Sequence, residues 1–579
     1  MSKLGNFVWG IADQLRGPYK PHQYGAVILP FTILRRLDCV LAATRDEVRE
    51  LATKYSGGAL DVQVKRKTGL SFYNTSAFDF AKLLEDPEGL RANLVDYITG
   101  FSANIDVFER FKFDNELATL DEKNRLYLIT SKFAEVDLHP KTVPNAEMGD
   151  LFEHLIRRFA EESNETAGDH YTPRDAIRLM VDLLFAEDNA ALMEPGTVRT
   201  IYDPTAGTGG MLSVAEERLL ERNKDARLRL YGQEINDQSY AICKSDMIVK
   251  GQDAGNIRLG DTLTDDKFFD RTFDFCMSNP PFGIDWKAAQ EDVQKEALIP
   301  GSRFSHGLPA VGDGAMLFLC HLASKMRPAY EGGGRAGIVL SGSPLFTGAA
   351  ESGPSKIRQW LLEEDLVEAI IALPTNMFYN TPIATYIWIL DNTKRAERQG
   401  KIQLIDASGF WTKMRKNLGA KGREVDEKDR NRIVELYDAF DEADLELSKV
   451  FTANDFGYWT ITVERPLLDE DGNPVTDSKG KPKPDAKKRD TENVPFTYGV
   501  NTAGDAGRDK TIKAYFEAEV LQHVPDAWVD TKKTKVGYEI PFTRHFYKYV
   551  PPRPLAEIDA DLEKQVAKIM ELLREVEEG

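Results

Sequence analysis

Cysteine and histidine are scarce in this sequence, with four and eight copies among 579 residues. The cysteines, Cys39, Cys243, Cys276 and Cys320, lie far apart in apolar or helical contexts, without a CxxC pair or a histidine cluster. Zinc sites need ligands at close spacing, and disulfide frameworks need more cysteines than these. The sequence therefore predicts core thiols in a reducing compartment and no metal site.

Positive charge and long apolar runs are also lacking. Lys and Arg number 74 against 93 Asp and Glu, a net charge of -19, so the surface as a whole should repel a polyanion. The most apolar long stretch, residues 369–390, is interrupted by two prolines and an asparagine, and no N-terminal signal pattern is seen. We expect a soluble cytoplasmic protein, with no membrane segment, whose nucleic-acid contacts are local or supplied by a partner.

The length predicts two to four domains, of which the first two differ in pattern. Residues 1–145 place apolar side chains at helical spacing and predict a helical N-terminal domain. Residues 146–410 begin with a predicted helix over 148–162 and then alternate apolar runs with helical stretches. This alternation predicts a doubly wound α/β sheet with ligands at the carboxyl ends of its strands. The seven predicted strands are 198–203, 228–234, 256–261, 273–279, 335–340, 366–373 and 384–390.

The last third of the chain has weaker patterns. We assign residues 411–465 to a basic, helical continuation of the core, and residues 466–545 to a polar insertion and irregular extension. Residues 546–579 end in a helix with apolar residues at spacings of three and four from Leu555 to Val576, which is a heptad seam. Such a seam needs a partner helix, either in another subunit or in the N-terminal domain of this chain.

A glycine-rich turn follows the first predicted strand. Residues 203–210, "DPTAGTGG", lead directly into a helical stretch, so backbone N–H groups would face a ligand. Glu234 ends the second strand, where a carboxylate can bind ribose hydroxyls, and Asp261 ends the third, where it can meet an adenine edge. Each carboxylate alone is as readily a solvated residue, but together they indicate an adenosine-containing cofactor. No GxxxxGK[ST] element is present, which disfavours a triphosphate.

The fourth predicted strand ends in "SNPPFG", residues 278–283. An amino group conjugated to a heterocycle is a poor nucleophile, because its lone pair is delocalised into the ring. The amide oxygen of Asn279 and the carbonyl of Pro280 can accept hydrogen bonds from such an amine and favour its pyramidal form. Phe282 would stack on a base that has left its helix. The motif therefore predicts methyl transfer to an exocyclic amine, aided mainly by positioning.

These motifs together resemble a known family. The "DPTAGTGG" and "NPPF" pair, with "GDHYTP" at 168–173 before it, is similar to the S-adenosylmethionine-dependent N6-adenine DNA methyltransferases of the gamma order. More closely, the chain resembles the methylase (M) subunit of type I restriction-modification systems over most of its length, including "FVWGIADQLRG", "KMRKNLG" and "EIPFTRHFYKYVPPRPLAEID". The implied fold is a seven-stranded methyltransferase core with a helical N-terminal domain and a C-terminal helical tail.

The resemblance implies roles for particular residues. The expected catalytic group that holds the target adenine is Asn279, Pro280, Pro281 and Phe282. The expected cofactor-binding residues are Gly168, Asp169, His170, Tyr171, Thr172, Pro173, Asp203, Gly207, Thr208, Gly209, Gly210, Glu234 and Asp261. His170 is more readily a packing or hydrogen-bonding residue than a base. Five basic residues are candidates for contacts with DNA phosphates, with a solvated helix face as the alternative: Lys413, Arg415, Lys416, Lys421 and Arg423.

The resemblance also implies partners. Members of this family act on double-stranded DNA whose sequence a separate specificity (S) subunit reads, with two M subunits flanking one S, and a restriction (R) subunit would be a further partner. The acidic net charge agrees with this, and the terminal heptad helix is a candidate for docking on S. Two alternatives remain open from the residues: methylation of protein glutamine or RNA amino groups, and an inactive DNA-bound scaffold.

Overall fold

The computed structural model describes residues 3–20, 23–144, 147–148, 172–186, 192–250, 252–379, 381–499, 505–549 and 554–578. The helix predicted at 148–162, apart from Met148, and four residues of the "GDHYTP" motif, Gly168 to Tyr171, lie outside these ranges. No helix within them is both long and apolar enough to cross a membrane. The contacts divide the chain into two compact units, residues 1–540 and 541–579, which are described separately.

The N-terminal part of the first unit is helical, as predicted. Its described helices are α1 (Lys3–Leu15), α2 (Tyr24–Leu41), α3 (Arg45–Ala52), α4 (Gly57–Thr68), α5 (Phe80–Leu83), α6 (Leu90–Thr99), α7 (Val107–Arg110), α8 (Phe113–Glu122) and α9 (Leu126–Ala134). They pack around the buried faces of α2 and α9, where the rings of Phe31 and Phe133 stack at 5.2 Å. The buried guanidinium of Arg36 donates to the carbonyls of Leu138 and Val143, which ties the chain after α9 back to α2.

A nine-stranded sheet forms the centre of the first unit. Its strands are β1 (Val198–Asp203), β2 (Arg227–Glu234), β3 (Ile257–Leu259), β4 (Phe275–Ser278), β5 (Arg335–Ser341), β6 (Val367–Ala372), β7 (Thr385–Asp391), β8 (Lys401–Asp406) and β11 (Ser448–Thr452). The order is β11-β8-β6-β7-β5-β4-β1-β2-β3. Strands β5-β4-β1-β2-β3 run parallel, whereas β7 is antiparallel to both of its neighbours. The carboxyl ends of the first four strands therefore lie along one edge.

All seven predicted strands form in this sheet, and β8 and β11 extend it beyond the expected seven. The helices that accompany it are α10 (Arg174–Ala186), α11 (Gly210–Arg222), α12 (Asp237–Val249), α13 (Gln290–Ala297), α14 (Ala315–Lys325), α15 (Ser343–Phe346), α16 (Gly353–Glu363) and α17 (Glu427–Ala439). Every residue of β6 and of β7 is buried, as expected of central strands that are covered on both faces.

Helix α12 joins the sheet to the N-terminal helices. Its Ala241, Ile242 and Ile248 belong to the same apolar cluster as the helices before residue 145. Asp106 accepts hydrogen bonds from Lys244 at 2.7 Å and from the hydroxyl of Tyr240 at 3.2 Å. The helix begins where the Asn236 side chain accepts from the backbone of Gln238 and Ser239. These contacts hold one wall of the cavity described below.

The structure corrects two assignments after residue 410. The basic run at 411–423 is not a helical face but an antiparallel hairpin of β9 (Thr412–Leu418) and β10 (Lys421–Glu424). The region predicted to be irregular contains most of a second antiparallel sheet, formed by β12 (Gly457–Glu464), β13 (Asp490–Pro495), β14 (Trp528–Val529) and β15 (Lys535–Tyr538), together with helix α18 (Asp505–Tyr515). Its polar sequence lacks a long apolar run because one small cluster around Trp459 and Ile461 supplies the core.

The second unit contains helices α19 (Phe542–Phe546) and α20 (Leu555–Glu578). Helix α20 confirms the predicted terminal helix. Of its described seam residues, Ile558 is half-buried, and Leu555, Leu562, Val566 and Ile569 leave between 56% and 76% of their surface exposed. The apolar seam is therefore open to solvent in the isolated chain.

Candidate functional site

A cavity of about 440 Å³ opens at the carboxyl ends of β1 to β4. Eight of the residues expected from the sequence line it: Thr172, Gly207, Thr208, Gly210, Glu234, Asp261, Asn279 and Pro281. Its volume lies in the range of small-molecule and cofactor sites. Strand pairing brings these residues together, although they span more than a hundred positions of the chain.

The carboxylate of Glu234 organises the glycine-rich turn. One of its oxygens accepts the backbone N–H of Gly207 at 2.7 Å, and the other accepts that of Asn236 at 2.7 Å. These two bonds fix the orientation of the carboxylate at the end of β2. Gly209 stands at φ +85, and a Cβ built there would meet the Sγ of Cys243 at 2.9 Å, so both the backbone and the space require glycine.

Two hydrogen bonds made by hydroxyl groups tie the strand ends to one another. Thr205 Oγ1 and Ser278 Oγ lie 2.7 Å apart and join the glycine-rich turn to the end of β4. Thr262 donates to the carbonyl of Pro204 at 2.6 Å and joins the end of β3 to the same turn. Asp261 lines the cavity beside this link, and its Oδ1 accepts the backbone N–H of Leu263 at 2.9 Å.

Asp203 lies under the turn rather than in the cavity lining. It is fully buried, its Oδ1 accepts from the backbone and the hydroxyl of Thr205, and its Oδ2 has no partner among the described residues. The pKa of Asp203 is raised to about 7. Burial is the main cause and the charge of Glu234 acts in the same direction, whereas the hydrogen bonds from Thr205 lower the pKa. This carboxyl group therefore titrates near neutral pH.

The amide of Asn279 is oriented from the far side of the cavity. Its Nδ2 donates to Oγ1 of Thr172 at 2.9 Å, and its Oδ1 is buried with no hydrogen-bond partner among the described residues. An unpaired buried acceptor is costly unless a ligand donor completes it. Thr172, the one described polar residue of the "GDHYTP" motif, is thus the partner that directs this acceptor.

The other predicted residues of this region surround the amide. Pro280 is buried behind it, and Pro281 lines the cavity. The ring of Phe282 meets Phe378 edge to face, with 5.5 Å between their centroids. Pro173 precedes the first residue of α10 and does not line the cavity.

Sequence reasoning missed one wall of the cavity. The connection between β4 and α14 contributes Ile284, Asp285, Trp286, Ala288, Ala289 and Gly314, and Ile235 and Phe318 add apolar surface. The indole of Trp286 donates to the carbonyl of Ala310 at 3.0 Å, and this bond joins two distant parts of the same connection. The segment carries neither a motif nor a helical period, so no local signal could have identified it.

The five basic candidates fall into two groups. Lys413, Arg415 and Lys416 are exposed on the hairpin. Lys421 is a correction to the sequence-based assignment, because it is buried and its Nζ lies 2.8 Å from Asp175 of α10. Arg423 stacks over Trp411 at 3.9 Å and donates to Thr375 at 2.9 Å, so it too holds the hairpin in place.

The comparisons with known proteins agree with this geometry. The sequence profile described as N-6 DNA Methylase matches residues 145–457, more than half of the chain, and that described as HsdM N-terminal domain matches residues 4–133. The "Type I restriction enzyme MjaIX methylase subunit" of Methanocaldococcus jannaschii is 27% identical over 454 residues, which are 75% of this chain and 77% of that protein. The "Type I restriction enzyme EcoKI methylase subunit" of Escherichia coli is 24% identical over 48% of this chain and 50% of its own.

A solved structure has the same fold. The type I restriction-modification system methyltransferase subunit from Streptococcus thermophilus superposes with a TM-score of 0.59 and 23% identity, over 78% of this chain and 95% of that one. This likeness confirms the α/β methyltransferase architecture that was predicted from the strand pattern.

The titration of Asp203 gives a testable dependence of stability on pH. Because its pKa is about 7 in the folded chain and about 3.8 when exposed, the folded state holds a proton that the unfolded state has released between these values. The Asp203 carboxyl group should therefore destabilise the fold increasingly from about pH 4 to pH 7. The difference in melting temperature between Asp203→Asn and wild type should therefore increase in favour of the variant up to about pH 7 and stay constant above it. The measurement is thermal unfolding without ligand at pH 5, 6, 7 and 8. Asn at the exposed position Asp270 is the matched control; an Asp203→Asn difference that does not change with pH would contradict the assignment.

Proposed function

We propose how the residues of this chain act, from the premise that it belongs to the N-6 DNA methylase family. It is an S-adenosylmethionine-dependent methyltransferase that acts on N6 of adenine in DNA, as a methylase subunit of the type I class. The observation that carries the proposal is the buried, unpaired Oδ1 of Asn279 beside the cavity. This oxygen has no hydrogen-bond donor among the described residues, and an exocyclic amine could supply that donor.

The cavity residues fit the cofactor. Glu234 would accept hydrogen bonds from the ribose hydroxyls, and Asp261 from the adenine amino group, while Ile235 and Trp286 would cover the apolar faces. The N–H groups of the first turn of α11 would face the methionine part. S-adenosylmethionine supplies an electrophilic methyl group when bound. The motif residues Gly168 to Tyr171 would complete the methionine side, as the resemblance implies.

Asn279 and Pro280 would bind the target amine. The amide oxygen and the Pro280 carbonyl accept its two N–H groups, which draws the nitrogen lone pair out of the ring and toward the methyl donor. Thr172 keeps the amide from rotating, because its hydroxyl already accepts from Nδ2 at 2.9 Å. Phe282, steadied by Phe378, would stack on the face of an adenine swung out of the duplex.

The exposed hairpin residues Lys413, Arg415 and Lys416 are proposed to contact phosphates beside the target. The hairpin is anchored by Lys421 to Asp175, three residues after Thr172, which itself bonds to Asn279. The segment from Thr172 to Asp175 therefore contacts both the hairpin and the Asn279 amide. In a chain of net charge -19, a local positive element of this kind can bind DNA where the rest of the surface repels it.

A specificity subunit is the proposed partner of α20, with two copies of this chain flanking one copy of it, and a restriction subunit would join such a complex. The support is the open apolar seam from Leu555 to Ile569, which requires a helical partner. The net charge also makes sequence reading by this chain alone unfavourable.

Asn279→Ala should abolish methyl transfer while it leaves cofactor binding nearly intact. The variant removes the acceptor for the amine but no group expected to touch the cofactor. The measurement is a genome-wide map of N6-methyladenine in cells that carry the native operon with either version, with isothermal titration of S-adenosylmethionine alongside. Asn454→Ala, at an exposed asparagine, should leave both results unchanged. Identical maps for wild type and Asn279→Ala would exclude the proposed role.

The triple variant Lys413→Ala, Arg415→Ala, Lys416→Ala should weaken DNA binding and reduce its salt dependence. Loss of up to three phosphate contacts lowers the slope of log K against log salt by about 2 to 3. Binding of S-adenosylmethionine should not change. The control removes the same charge from the connection between β12 and β13, with the exposed residues Lys479, Lys481 and Lys483 changed to Ala. Equal loss of DNA affinity in both triples would assign the effect to net charge rather than to the hairpin.

Introducing charged residues on the apolar seam of α20 should abolish binding of the specificity subunit. Leu562→Asp with Val566→Asp places two carboxylates on the apolar stripe, whereas Ala560→Asp with Ala567→Asp places them on the opposite face at 3.6 residues per turn. Co-purification and light scattering of the co-expressed subunits should show loss of the complex for the first pair alone. If the first pair assembles like wild type, the seam is not the docking surface.

A further inference from the structure

The adenine end of the cavity is built from two segments that are distant in sequence. Residues 261–263, after β3, form one side, and the connection between β4 and α14 forms the other. The side chain of Arg303, in that connection, is only 8% exposed. Its Nη1 donates to the carbonyl of Thr262 at 2.6 Å and its Nη2 to that of Leu263 at 2.8 Å, the two residues that directly follow Asp261.

The remaining donors of Arg303 bind residues of α13 and α14. Its Nε and Nη2 donate to the two carboxylate oxygens of Glu296, at 2.8 Å and 3.0 Å, next to the end of α13. Its second Nη1 hydrogen points to Nδ1 of His321 at 2.9 Å. All five N–H groups of the guanidinium therefore have acceptors, and lysine, with three donors on one atom, could not replace them.

The contact with His321 defines the state of that ring. A guanidinium only donates, so Nδ1 of His321 must accept, and the proton of the neutral ring is on Nε2, which faces the hydroxyl of Tyr202 at 3.2 Å. Complete burial lowers the pKa of His321 well below its ordinary value, and the neighbouring Arg303 and Lys325 charges act in the same direction. Arg303 is thereby fixed against α14 and, through His321, against β1.

We propose that Arg303 is a positioning residue for the cofactor's adenine: it holds the 261–263 loop against the opposite wall so that Asp261 meets the ring edge. The inference rests on the proposed assignment of the cavity to S-adenosylmethionine. Arg303 does not line the cavity and touches no reacting group, so its effect should fall on cofactor affinity and not on the chemical step.

The test compares two buried arginines that both donate to several backbone carbonyls. Arg303→Lys should raise the Kd and KM for S-adenosylmethionine by about tenfold or more through the loss of hydrogen bonds from a charged donor, with kcat at saturating cofactor within about twofold of wild type. Adenosine, used as a second probe, should lose the same factor. Arg358→Lys is the control, because Arg358 donates to the carbonyls of Tyr538, Pro344 and Thr347, none of which lines the cavity. It should lower the melting temperature without changing either affinity.

A second pair of variants keeps the proposal testable if Arg303→Lys does not fold. His321→Gln retains an acceptor for Arg303 and a donor for Tyr202, whereas His321→Leu leaves one guanidinium donor buried and unpaired. Leucine should therefore weaken cofactor and adenosine binding more than glutamine. Wild-type affinity in Arg303→Lys, or equal affinities in the two His321 variants, would overturn the inference. Failure of the wild-type chain to bind S-adenosylmethionine would instead overturn the assignment of the cavity.

Discussion

The parallel pairing of β4, β1, β2 and β3 is the constraint on which the rest of this structure depends. It brings four strand ends to one edge, where Glu234 accepts two backbone N–H groups and thereby sets the shape of the glycine-rich turn. The hydroxyls of Thr205 and Thr262 connect these ends laterally. A cavity with fixed acceptors results from secondary structure and four short polar contacts, before any ligand is present.

Buried arginines perform a second task, which is to hold irregular segments over that frame. Arg36 and Arg303 donate to backbone carbonyls of connecting segments, and Arg358 donates to carbonyls at the ends of β15 and α15. A planar group with five fixed donors satisfies several carbonyls at once, and a buried carbonyl without a donor would be costly. The connections around the cavity can therefore be long and unpatterned in sequence and still be well defined in the fold.

Charge is distributed unevenly over the described part of the chain. The chain is acidic overall, whereas Lys413, Arg415 and Lys416 are exposed together on the β9–β10 hairpin, which Lys421 and Arg423 hold in place through Asp175 and Thr375. The exposed basic hairpin and the exposed apolar helix are the two surfaces on which the proposed contacts with DNA and with a specificity subunit rest.

The sequence by itself determined the seven strands, the helical N-terminal part, the terminal heptad helix and the strand-end residues from Asp203 to Phe282. These signals are local, because periodicity reports burial, and glycine, proline and terminal carboxylates mark the turns where parallel strands end. Strands β8 and β11, the β9–β10 hairpin and the second sheet were missed, since short mixed strands at a sheet edge carry little period. Only the tertiary structure decided three contacts. Thr172 accepts a hydrogen bond from the Asn279 amide, Arg303 donates to the loop after Asp261, and Lys421 is buried against Asp175. Each of these is a polar contact between two residues that are far apart in the sequence. Such a contact leaves no pattern in a single sequence, because which two residues meet depends on how the intervening helices and strands pack.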